Sequence, residues 1–122
     1  MMTDAIQLSE TPKAALLSLC GRVCAQGDDS LGAALKKLGA SAGDVKAIDI
    51  TSIEFIDSYA LGQILFFCST IHDNGKKAII INASSDESSY VNKLIEIAEL
   101  SRVVDIVSDM NSIGAGNTGN GS

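Results

Sequence analysis

Hydrophobic positions along the chain switch between two periods. From Ala14 to Cys20 (AALLSLC) and from Val45 to Ile50 (VKAIDI) they are almost continuous, and Ala78 to Ile81 (AIII) and Val103 to Val107 (VVDIV) are shorter runs of the same kind. Short apolar runs rich in β-branched residues predict strands buried on both faces, the pattern of a parallel sheet. Between these runs the period lengthens. Leu31, Ala34, Leu35 and Leu38 form one set, Leu61, Ile64, Leu65, Cys68 and Ile71 a second, and Val91, Leu94, Ile95 and Ala98 a third. Each has the i, i+3, i+4, i+7 spacing of a helix with one apolar face. Ala5 to Leu8, ahead of the turn Glu10-Thr11-Pro12-Lys13, predicts a short edge strand.

The punctuation fits this alternation. Gly39 and the run Ala40-Ser41-Ala42-Gly43 close the first helix, and Asn74-Gly75 ends the second with a residue suited to a left-handed C-cap. Ser84 with Glu87 three residues on has the form of a capping box for the third helix, and Asp109 is a cap for a short fourth. The closing segment Gly114 to Ser122 (GAGNTGNGS) has nothing to pack and is predicted to be disordered. Residues 1–113 thus read as one domain and 114–122 as a flexible tail. Strands alternating with helices across short loops predict a small single-domain α/β fold, with a mixed, partly parallel sheet and about four helices.

The second continuous run ends in Phe55-Ile56-Asp57-Ser58-Tyr59-Ala60-Leu61-Gly62. Ser58 therefore lies where a strand hands over to a helix. Asp57 and Ser58 are both good N-cap residues, and the residues alone do not decide between them. A phosphate on a hydroxyl at this place would be tolerated beside the positive end of the helix dipole.

This segment resembles the STAS domains, and within them the bacterial anti-sigma factor antagonists, which carry Asp-Ser-Ser-Gly-Leu-Gly at the opening of a helix after a hydrophobic strand. Tyr59 and Ala60 stand where that family usually has Ser and Gly. Gly21-Arg22 corresponds to a Gly-x-x-Asp turn of the family whose acidic residue touches the partner, and here the fourth position is Cys24. The resemblance covers about Ala14 to Met110. It implies helices mainly on one side of the sheet, with the first helix crossing the other end.

It further implies a regulator that catalyses nothing. The unmodified domain would bind an anti-sigma factor that is also a serine kinase, freeing a sigma factor. The kinase would phosphorylate Ser58, with Asp57 beside it at the interface, and a metal-dependent serine phosphatase would reverse the modification. Any nucleotide would belong to the partner. The alternative is a STAS adaptor that docks without phosphorylation, for example on the ATPase of a transport complex. Tyr59 adds bulk beside the phosphoacceptor and Ala60 adds a methyl group at the contact, which keeps that alternative open.

Composition narrows the classes. The formal charge is −6, and no cluster of Lys and Arg offers itself to nucleic acid or to an anionic membrane. No apolar run approaches the roughly 20 residues that span a bilayer, and the amino terminus lacks the basic and apolar regions of a secretory signal, so a cytoplasmic location is expected. Cys20, Cys24 and Cys68 form no CxxC pair and read as reduced thiols. Ser58 and His72 on one helix would be about 21 Å apart, too far for a nucleophile and its base. No G-x-S-x-G elbow, Gly-rich phosphate loop or H-E-x-x-H appears, so neither an enzyme nor a cofactor is expected.

With the second apolar stripe turned inward, Tyr59, Gln63, Phe66 and Thr70 fall on the opposite side of that helix. Together with Asp57, Ser58 and Ala60, which the resemblance implies, Tyr59, Gln63 and Phe66 from this face are the candidate docking residues. The other possibility is that a neighbouring element covers Phe66.

Overall fold

In the computed structural model the described residues are 6–10, 14–27, 29–41, 43–84, 89–99, 102 and 104–108. The elements in chain order are β1 (Ile6–Glu10), β2 (Ala14–Val23), α1 (Ser30–Ala40), β3 (Val45–Ile56), α2 (Ser58–Asp73), β4 (Lys77–Ile81), α3 (Tyr90–Ala98) and β5 (Asp105–Val107). They build one five-stranded sheet in the order β1-β2-β3-β4-β5. β1 pairs antiparallel with β2, and the remaining neighbours are parallel, so the sheet is mixed as the sequence predicts.

The continuous apolar runs have a direct counterpart, since the strands carry buried residues on both faces of the sheet. On one face Ala15, Leu17 and Leu19 of β2, Ile48 and Ile50 of β3, and Ala78 and Ile80 of β4 form the main core with Leu31, Leu35 and Leu38 of α1, Ile64, Cys68 and Ile71 of α2, and Val91 of α3. On the other face Ala47, Ile79 and Ile81 are buried, with Leu16, Val45 and Val107 packed against them. Because α1 shares the main core with α2 and α3, all three helices form one layer. The first helix does not cross the other end of the sheet.

Several boundaries differ from the sequence pattern. β2 continues past Gly21 to Val23 by shifting register between Ser18 and Cys20 and again between Gly21 and Arg22, and Gly21 sits at φ +69°, where a side chain would be strained. α3 begins at Tyr90 with Ser89 as its cap, whose hydroxyl accepts the Asn92 N–H at 3.1 Å; the expected box from Ser84 depended on Glu87, which lies outside the described residues. The described residues hold three helices rather than about four. The fourth, expected after Asp109, and the tail at 114–122 both lie outside them, as does Val103 at the expected start of β5.

At the end of the sheet away from Ser58, Lys46 is fully buried, and its Nζ donates to the carbonyl of Ser41 at 2.5 Å and to its Oγ at 3.0 Å. These bonds cap the carboxyl end of α1. Burial, with Lys76 nearby, lowers the Lys46 pKa, against the opposing pull of Asp44 and Glu10.

Candidate functional site

β3 is the longest of the described strands, and only its first part is flanked on both sides: β4 pairs with Val45 to Asp49, whereas β2 pairs as far as Ile56. Beyond Asp49 the free edge of β3 is satisfied by side chains instead of a strand. Asp49 Oδ1 accepts the Thr51 N–H at 2.9 Å, and the Tyr90 hydroxyl accepts the Ile56 N–H at 3.1 Å while donating to the Ile56 carbonyl at 3.3 Å; Thr51 Oγ1 in turn accepts the Ala83 N–H at 2.8 Å. The Asp57 N–H donates to the Val23 carbonyl at 3.1 Å, and there the chain leaves the sheet and turns into α2.

Asp57, not Ser58, is the N-cap. Its carboxylate accepts the Ala60 N–H at 2.7 Å and reaches across to the loop after β2, accepting from Ala25 at 3.0 Å and Gln26 at 3.2 Å. Partial burial raises the Asp57 pKa, but these three backbone N–H groups outweigh it and the net effect is a lowered value. One side chain thus ties the start of α2 to the β2–α1 loop. Ser58, the first residue of α2, is exposed, and among the described residues its hydroxyl makes no hydrogen bond. The choice of cap that the sequence left open is settled by the extended backbone at Asp57, φ −84° and ψ 168°.

Along α2 the residues facing the core are Ala60, Ile64, Cys68 and Ile71, with Leu61 and Phe67 partly covered. The apolar face is therefore rotated toward Ala60 and Phe67, and Leu65, expected to point inward, is only half-buried. Ala60 is 0% exposed, so its methyl group fills the core beneath the first turn and offers nothing to a partner. Gln63 is half-buried beside Gly32 of α1, and among the described residues its buried Oε1 has no hydrogen-bond partner. Tyr59 is 57% and Phe66 75% exposed, and Thr70 is exposed beside them. No described element covers Phe66. A groove of about 400 Å³ runs between α1 and α2 next to it, with Leu35, Gly39, Phe67 and Ile71 among its walls.

The sequence matches no protein-family model and, at a significant level, no curated protein. Solved structures do resemble the fold. SpoIIAA, an anti-sigma factor antagonist in its unphosphorylated form, superposes with a TM-score of 0.65 at 16% identity, over 97% of this chain and 100% of that one. An anti-sigma factor antagonist from Mycobacterium paratuberculosis gives 0.67 at 12% identity, over 88% of this chain and 87% of the other. The chain has the anti-sigma factor antagonist fold. The phosphorylated form of the Bacillus cell fate determinant SpoIIAA matches similarly, with a TM-score of 0.64 at 16% identity over 90% of this chain and 97% of that one.

On this anti-sigma factor antagonist fold, one feature near Ser58 has no signal in the sequence. The Arg22 guanidinium lies 4.6 Å above the centroid of the Phe55 ring, and that ring packs on Tyr90 with centroids 6.4 Å apart and a 32° tilt. Residues 22, 55 and 90 come from three separate elements, and only the sheet register and the start of α3 bring them together. Cys20 and Cys24 are exposed; Cys68 is buried, and burial pushes its thiol pKa up to about 11. His72, near the far end of α2, places Nε2 3.3 Å from the Ala78 carbonyl. Among the described residues no helix is long and apolar enough to cross a membrane.

Proposed function

We propose that the protein is a non-enzymatic cytoplasmic regulator that docks on an anti-sigma factor serine kinase through the start of α2 and is released when that kinase phosphorylates Ser58. The observation that carries the reading is the division of labour at the turn. Asp57 takes the capping role, and Ser58 is left exposed with an unengaged hydroxyl on the first residue of a 16-residue helix. A phosphate there would add about −1.5 to −2 charges beside the docking residues Tyr59 and Phe66, and would oppose docking through desolvation and repulsion. SpoIIAA, of the same fold, is known in phosphorylated and unphosphorylated forms. A serine phosphatase would complete the cycle, and the protein itself would need no cofactor.

The exposed rings of Tyr59 and Phe66 also suit a second reading, a phosphorylation-independent adaptor docked on a transport ATPase. Incubation with the cognate kinase and ATP separates the two. The switch requires one phosphate per chain, at Ser58, and none on a folded Ser58→Ala variant. Labelling of Ser58→Ala equal to that of the wild type would move the site elsewhere, and no labelling of either would favour the adaptor.

A further inference from the structure

We propose that Arg22 is the charged anchor of this docking surface, and that it receives a carboxylate side chain from a partner surface that is otherwise basic. The inference rests on the docking reading above and names the chemistry of the partner. Arg22 is exposed near the end of β2, yet its guanidinium is held by the ring of Phe55, which leans on Tyr90, whose hydroxyl is bonded to the backbone of Ile56. A stacked guanidinium has lost much of its freedom before any partner arrives, and its fork of N–H donors matches a carboxylate.

Among the described residues none uses those donors. Among the described residues the single ion pair is Arg102 with Glu99, and Arg22 makes no hydrogen bond. The position is also right, because the residue after Arg22 accepts the N–H of the residue before Ser58: Val23 and Asp57 are joined at 3.1 Å.

The surroundings set the rest of the pattern. The loop residues 24–29 and the turn at 57–58 contain no Lys or Arg. Asp29 is exposed and makes no capping bond, and Glu54, next to Phe55, is exposed too. Arg22 thus lies on a chain of formal charge −6 and beside a loop and a turn whose sequence carries acidic residues and no other cation, whereas Asp57 is occupied by three N–H groups. The complementary surface has one carboxylate opposite Arg22 and is otherwise basic, as suits a chain of formal charge −6. A phosphate on Ser58 would then repel that same carboxylate.

The test places the photo-crosslinking residue p-benzoylphenylalanine at position 59 of the full chain in its own cells, identifies the captured protein and the crosslinked peptide, and measures affinity with the purified partner. The expected result is an Asp or Glu in the partner segment facing Arg22. R22Q should weaken binding about tenfold and R22E about a hundredfold, with thermal unfolding unchanged, and replacing the partner carboxylate by Arg should restore binding to R22E. If R22E binds as tightly as the wild type while Phe66→Ala binds weakly, the proposal is overturned and docking through α2 stands. If position 59 captures nothing, the docking reading falls and the proposal with it.

Discussion

Asp57 divides its carboxylate among three backbone N–H groups, two of them in a loop more than 30 positions earlier in the chain. Its lowered pKa sets the sign of a pH dependence. A carboxyl whose folded value lies below its unfolded value contributes stability that is fully present above the unfolded value and is lost as pH falls through the folded one. Asp57→Asn, which does not titrate, should therefore be less stable than the wild type at neutral pH. The gap should close on acidification through the carboxylate range, as followed by urea unfolding at a series of pH values. Hydrogen exchange adds a spatial check: in Asp57→Ala the amides of Ala25 and Gln26 should exchange faster together with that of Ala60. A role confined to capping α2 would leave Ala25 and Gln26 unchanged.

At the scale of the element, α2 has one face in the core and one in solvent, the latter proposed above for docking, and the two should respond differently to truncation. Ile64 is 1% exposed, and Ile64→Ala should cost about 2 to 5 kcal/mol of stability. Phe66, three quarters exposed, should behave in the opposite way. Phe66→Ala should change stability by no more than roughly 0.5 kcal/mol while lowering partner affinity by about 1 to 2 kcal/mol, measured by calorimetric titration. The start of α3 carries a separate test, because Tyr90 stands in for a missing strand at Ile56. Tyr90→Phe keeps the ring against Phe55 but leaves the Ile56 N–H without its hydroxyl partner. It should lose about 0.5 to 1.5 kcal/mol in chemical denaturation, and an unchanged midpoint would mean that water replaces the hydroxyl.

In the whole molecule, the class of fold and the strand-to-helix turn at Ser58 were legible in the chain, and the orientation of individual groups was not. The continuous runs around Leu17, Ile48 and Ile80 require strands covered on both faces, because a strand with one face in water would alternate. The lengthened period around Ile64 requires a helix with one apolar side. Those two facts place Ser58 at a strand-to-helix turn before any coordinates are known. Local residue types could not choose between Asp57 and Ser58 as the cap, since both side chains satisfy the same amides. The choice came from the loop after β2, which offers the N–H groups of Ala25 and Gln26 to a carboxylate. Periodicity also misjudged the rotation of α2 by setting Leu65 fully inward, and the resemblance set the buried Ala60 at the partner contact. A 3.6-residue repeat marks a face about a quarter of a turn wide, and contact with the sheet and α1 selects Ala60 and Phe67 within it. The Arg22–Phe55–Tyr90 stack was beyond reach for a different reason: its members are more than 30 positions apart in the chain, and their meeting depends on the two register shifts in β2 and on where α3 begins. Sequence period thus determines which residues are core and where elements change over, because burial acts on every residue of an element. Contacts between distant side chains are decided only when register and helix rotation have been set by packing of the whole fold.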